Sequence, residues 1–177
     1  MSRTNPYKKK KRSAKKTILI FGEGLGEESF LKHLRSLYSQ DSGAHAKIQK
    51  GRGGAAERIV VDSHKTPGDF DKRFVVVDND KTKEEMERAR QGAKKRGIEL
   101  IENTPCLEFL LLLILKNGQK ISERSSSWCK KEFESKYIDK KKRSESREYA
   151  KLFPRELLDD KRHEISELDK LISILEG

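Results

Sequence analysis

Apolar residues along this 177-residue chain follow two rhythms. Short unbroken runs of β-branched and aliphatic residues alternate with stretches where apolar positions recur every third or fourth place, the signatures of strand and helix. Thr17-Ile18-Leu19-Ile20-Phe21 is the first run, and Gly22-Glu23-Gly24-Leu25-Gly26 breaks it. Phe30, Leu31, Leu34, Leu37 and Tyr38 then share one helical face. A second strand is expected from Ala44 to Lys50, leaving on Gly51-Arg52-Gly53-Gly54, with a short helix from Ala55 to Ser63 behind it. Pro67-Gly68 marks a loop before a third strand, Phe74 to Val77. A helix begins near Thr82, whose hydroxyl forms a capping-box pattern with Glu85, and Gly97 ends it. Ile98 to Ile101 is a short fourth strand. Thr104-Pro105 opens a helix over the apolar run Cys106 to Leu115, which stops at Asn117-Gly118. Being apolar all round, this helix belongs inside the fold.

The alternation over 17–118 predicts an α/β domain. Its sheet is four-stranded and mostly parallel, with helices on both faces in three layers. Beyond Gly118 the chain turns rich in Lys, Ser and Glu with scattered aromatics, so 119–177 reads as a basic helical extension. Its last part, Pro154 to Glu176, predicts one long amphipathic helix with Leu157, Leu158, Ile165, Leu168, Leu171, Ile172 and Leu175 on one side. That stripe either docks on the sheet domain or pairs with a second copy in a homodimer.

Composition changes the picture of partners more than that of the fold. Apolar residues make up 33% and charged residues 39%, but the apolar ones are clustered, so a folded core with a charged periphery is expected. The net charge of +11 is unevenly spread. Residues 1–16 hold eight Lys or Arg and no acid, leaving 32 basic and 29 acidic side chains, a balance of +3, for the rest. Such a tail has little to bury and favours a polyanion, nucleic acid above membrane because no amphipathic stripe accompanies it. A plain solubilising tail is the alternative. Cys106 and Cys129 lack Cys-x-x-Cys spacing and a neighbouring histidine, which disfavours zinc and fits free thiols in a reducing compartment. The N-terminus has no apolar signal core, and the longest apolar run is about half of a membrane span. A soluble, cytoplasmic protein without a membrane partner is expected.

The candidate chemistry begins at "VVVDND", a buried strand that runs into two acids. Ligands of open parallel sheets collect at the carboxyl ends of the strands. Glu23 follows the first strand, and Asp78 and Asp80 follow the third; if those strands are neighbours, three carboxylates converge. Residues 78 and 80 of an extended segment point the same way, with Asn79 facing away. Crowded carboxylates repel unless protons or a cation intervene. Hard oxygen ligands without Cys or His favour Mg2+ or Mn2+, which stabilises charge on a phosphodiester during displacement. Taken singly, each acid also suits a turn.

Glu108 is the one charge in the apolar helix. It either meets the helix dipole or turns inward, where it needs a metal, an Arg or backbone donors; we place it beside the acids as a further catalytic candidate. The amides of Gly51, Gly53 and Gly54 and the fork of Arg52 can meet a phosphate, although a flexible turn explains the same glycines. Lys81 is grouped with them as a nucleic-acid contact, and Gly22 and Gly24 form the turn that carries Glu23. Trp128, Phe133, Tyr137 and Tyr149 lie among lysines and arginines, a mixture suited to single strands. The spacing of 133 and 137 favours a buried helix face instead.

"ILIFGEG", a helix and "VVVDND" together resemble the TOPRIM domain of topoisomerases, primases and a group of nucleases. That resemblance implies a TOPRIM-like fold, Glu23 as general acid/base, and Asp78 and Asp80 as magnesium ligands. A narrower likeness is to RloB-like proteins, bacterial TOPRIM proteins associated with restriction and defence loci. "EGLGEESFLKHL", "KGRGG", "VVVDND" and "ENTPCLEFLLLLIL" occur in the order and at the spacings of that group, over about residues 17–118. Thr104 stands where the group has Asn, and Ile114 where it has His. The resemblance implies a magnesium-dependent nuclease acting on DNA or RNA in bacterial defence. RloB-like genes often lie near one for an AAA-type ATPase, which implies an alternative: a non-catalytic nucleic-acid-binding or regulatory partner of such an ATPase. This chain has no Gly-x-x-x-x-Gly-Lys-Ser/Thr motif, so ATP hydrolysis would be supplied in trans.

Overall fold

The computed structural model describes residues 16–40, 44–116 and 124–177. Residues 1–15 of the basic tail and the expected helix stop at Asn117-Gly118 lie outside them. Lys16, read as the last residue of that tail, opens the first strand.

Four strands, β1 (Lys16–Gly22), β2 (Ala44–Lys50), β3 (Lys72–Asp78) and β4 (Glu99–Asn103), form one sheet in the order β2-β1-β3-β4. Every pairing is parallel. The two central strands are buried over their last five residues, as their unbroken apolar runs require. At the edge, β2 buries Ala44, Ala46 and Ile48 and exposes His45 and Lys47. The register sets Ile20 against Phe74 and Asp78 against Asn103. Because β1 and β3 are neighbours, the residues that follow them emerge at the same edge.

Helices cover both faces, giving the three-layer α/β/α arrangement. On one side α2 (Ala56–Lys65) and α3 (Lys83–Lys95) pack Ile59, Val60, Met86, Ala89 and Ala93 against Leu19, Phe21, Val75 and Val77. On the other, Ile18, Ile20, Phe74, Val76 and Ile101 lie in one core with α1 (Leu25–Tyr38) and α4 (Leu107–Leu115). The C-terminal helices α5 (Ser126–Lys136), α6 (Ser146–Leu152), α7 (Arg155–Arg162) and α8 (Ser166–Glu176) share that core. Phe30 of α1 packs its ring at a tilt against Tyr149, centroids 6.1 Å apart, and edge-to-face against Phe153 at 5.5 Å. Of the two uses open to the C-terminal stripe, docking within the chain is the one seen. Among the described residues no helix is long and apolar enough to cross a membrane.

Two local expectations change. The stretch from Pro154 is two helices, not one, broken where Glu164 and Ile165 donate their N–H groups to the Lys161 carbonyl. The break lets Leu158 and the Leu168, Leu171, Ile172 and Leu175 face reach the same core from two directions. Leu158 and Ile165 are seven residues apart, close to two helical turns, so the periodicity stays in phase across the break and hides it. At α3, the Thr82 hydroxyl accepts the Glu85 N–H at 3.2 Å, but the Glu85 carboxylate does not return to Thr82. It accepts the N–H of Ala56 instead, serving the start of α2, where Ala55 has no side-chain acceptor to offer.

Candidate active site at the carboxyl edge of the sheet

Glu23 leaves β1 directly after Gly22. A Cβ on Gly22 would lie 2.7 Å from the Cβ of Glu27, so the missing side chain lets the first turn of α1 close onto the strand end. Glu23 Oε2 then accepts the backbone N–H of Asp78, the last residue of β3, at 3.2 Å. Lys81 Nζ sits 2.8 and 3.0 Å from the two Glu23 oxygens and 3.8 Å from Asp80 Oδ1. Lys130 Nζ, from α5, sits 3.0 Å from Asp78 Oδ2 and 3.0 Å from Asp80 Oδ2. The remaining Asp78 oxygen accepts the N–H of Leu107 in the first turn of α4, and Ser126 donates its hydroxyl to Asp80. The structure therefore brings Glu23, Asp78 and Asp80 together around two ammonium groups. Asn79 turns aside to Thr104, as alternation predicts.

Burial shapes the electrostatics. Asp78 is 4% exposed, and that burial pushes its carboxyl up to about 6 although Lys130 opposes the shift. Asp80 is less enclosed; the Ser126 hydroxyl and Lys130 outweigh its desolvation and hold it below the usual carboxylate range. Lys130 is kept above the ordinary lysine range, because Asp78 and Asp80 outweigh the burial that works against its charge.

Three partners were not anticipated from sequence: Glu27, Lys130 and Arg143. Glu27, 8% exposed, accepts the Gly24 N–H at 2.9 Å, and burial followed by the nearby Asp78 pushes its carboxyl up to about 7. Its signal in the sequence is its place three residues after the helix-opening Gly24, where a Glu reaches back to the N-cap. Lys130 and Arg143 carry no local signal, since each acts far from its own position in the chain.

Glu108 turns inward, and Arg143 Nη2 lies 3.0 Å from its Oε1 and 2.7 Å from Glu134. Glu108 Oε2 is buried without a hydrogen-bond partner. A cavity of about 420 Å³ joins Glu23, Glu27, Asp78 and Glu108 with Lys130, Lys140 and Arg143. The Gly-rich turn divides around it. Gly53, at φ 73°, lines the cavity, and Gly54 also has a positive φ. Gly51 donates its N–H to the Gly22 carbonyl and packs on the Phe21 ring, a structural role. Arg52 faces a separate cavity of about 540 Å³ beside Lys50 and Lys65; its side chain is 77% exposed and 3.8 Å from Asp62. Lys81 pairs with Glu23 and also borders an open cavity of about 740 Å³ beside Lys83 and Arg90, and Ile114 is buried in the core.

Asp78, Asp80 and Glu23 are the residues that could hold a divalent ion. As the side chains stand, no group of three or more His, Cys, Asp or Glu among the described residues is spaced to ligate one. Lysine ammonium groups lie between the carboxylates. The donor set nevertheless fits a hard cation, being all carboxylate oxygen with no sulfur or imidazole, and the contacts to lysine show that these oxygens already converge on positive charge.

A family model described as RloB-like protein matches residues 18–173, and the chain belongs to that family. The match runs through the C-terminal helices as far as α8, well past the motif-bearing part. No curated protein and no solved structure matches the chain.

Proposed function

We propose that this RloB-like protein is a magnesium- or manganese-dependent nuclease that hydrolyses phosphodiester bonds of DNA or RNA, with a role in bacterial defence. The observation that supports the reading is the meeting of Glu23, Asp78 and Asp80, from the ends of two strands, within contact of shared ammonium groups. The defence role rests on the family likeness alone.

A divalent ion held by Asp78, Asp80 and Glu23 would neutralise the charge that builds on the phosphate oxygens during displacement. The chain's own groups set the stage for that. The Leu107 N–H fixes the Asp78 carboxylate, and the Ser126 hydroxyl fixes that of Asp80. Glu23, held by the Asp78 N–H, takes the proton of the attacking water or returns one to the leaving oxygen. The water oxygen gains its bond to phosphorus as the bridging ester bond breaks. Lys140 and Arg143, on the cavity wall, offer cations to the flanking phosphates.

The test is incubation of pure protein with labelled DNA and RNA, with and without Mg2+ or Mn2+, beside Glu23→Gln and Asp78→Asn. Metal-dependent cleavage is expected, reduced at least about 100-fold in both variants. Equal cleavage by wild type and variants would overturn the assignment. Cleavage that requires an added AAA-type ATPase would instead favour the regulatory-partner reading.

A further inference from the structure

All six oxygens of Glu23, Asp78 and Asp80 have a donor or a cation from this chain beside them. Lys81 attends both Glu23 oxygens and Asp80 Oδ1, Leu107 attends Asp78 Oδ1, and Lys130 attends the two Oδ2 atoms. The two lysines differ in kind. Lys81 follows Asp80 directly and is held close by the same turn, with its side chain 13% exposed. Lys130 reaches in from α5, fifty residues from Asp80 along the chain. Ser126, one helical turn earlier, touches the same Asp80 oxygen, so α5 presents a hydroxyl and an ammonium side by side.

Lys130 also has somewhere to go. Its side chain is 37% exposed, and it borders two spaces. One is the acid-lined cavity, and the other is an open cavity of about 520 Å³ that Asp80 also lines, beside Pro105 and Ser125 to Ser127. Its flexible four-carbon stem gives the ammonium reach toward either space. A divalent ion binding Asp78 and Asp80 would need the two oxygens that this ammonium now contacts, and two cations do not share them at ligand distance.

Building on the reading of these acids as a divalent-cation site, we propose that Lys130 is its resident cation. It holds the buried Asp78 beside Asp80 while no divalent ion is bound, and it must leave their oxygens for one to enter. Lys130 and the metal therefore compete directly, and the site is stable in its metal-free form because the lysine fills it. Once displaced, the ammonium lies in the open cavity beside Pro105 and Ser125 to Ser127.

The competition is tested by measuring Mn2+ binding calorimetrically to the full chain as wild type, Lys130→Gln and Lys130→Arg. The neutral Lys130→Gln is expected to bind Mn2+ at least about tenfold more tightly than wild type, while Lys130→Arg, which keeps the charge, gains nothing comparable. A second measurement needs no variant: the rate of amine acylation at Lys130, read by mass spectrometry, should rise when Mn2+ is added. Wild-type Mn2+ binding with no gain in Lys130→Gln, or an unchanged acylation rate, overturns the competition and leaves the nuclease reading standing. Absence of Mn2+ binding in every protein overturns both.

Discussion

Glu23 Oε2 accepts the backbone N–H of Asp78 at 3.2 Å. A side chain that leaves β1 is thereby tied to the main chain of β3, and the parallel pairing of these strands makes the contact available. The bond serves both the fold and the acid cluster, and substitutions separate the two uses. Glu23→Gln keeps an oxygen acceptor for that N–H, so it should cost no more than about 1 kcal/mol in urea denaturation while cleavage is lost. Glu23→Ala leaves the Asp78 N–H and Lys81 without their acceptor and should cost about 1–3 kcal/mol more.

Gly22→Ala should be costly although it adds one carbon. The new Cβ would meet the Glu27 Cβ at 2.7 Å and the Glu28 backbone N at 3.3 Å, neither being the free end of a flexible side chain. About 1–3 kcal/mol of destabilisation is expected, with a parallel fall in cleavage because Glu23 and α1 shift together. A variant as stable and active as wild type in denaturation and cleavage assays would show that the turn relaxes freely.

The buried Glu27 makes the metal-free protein sensitive to pH. Its carboxyl is pushed up to about 7 from an ordinary value of 4.5, chiefly by burial. Between those limits the folded protein keeps a proton that the unfolded chain has released, so this group's contribution is full at low pH and lost as pH rises toward neutrality. Urea midpoints measured with EDTA from about pH 5 to pH 8 should fall with pH, and Glu27→Gln should flatten the slope. An unchanged slope would contradict the burial of this acid.

The strands were legible because their apolar runs are unbroken and bounded by glycine and polar turns. The three acids were legible because strand ends are where such a sheet gathers ligands. Lys130 and Arg143 were not: their contacts to Asp80 and Glu108 depend on how the C-terminal helices dock, and local periodicity says nothing about that. Glu27 was hidden differently. Its place three residues after Gly24 marks a cap, but its burial follows from the packing of α1 against the strand ends. Arg52 shows the converse, since its place in a Gly-rich turn was plain but the turn directs it away from the acids.

Phe153→Ala tests whether the C-terminal helices are integral to the fold. The ring is fully buried against Phe30 and Tyr149, so a loss of about 3–5 kcal/mol is expected by chemical denaturation, in a single transition with the sheet. A separate early transition for the C-terminal helices would mean that they fold as their own unit.

The most direct test is a crystal of this protein soaked in Mn2+ and mapped by anomalous scattering. One peak should lie about 2.0–2.6 Å from carboxylate oxygens of both Asp78 and Asp80 on the Glu23 side, with the Lys130 ammonium withdrawn from them. A fully soaked crystal with no peak there, and Lys130 still bridging the two aspartates, would contradict the account.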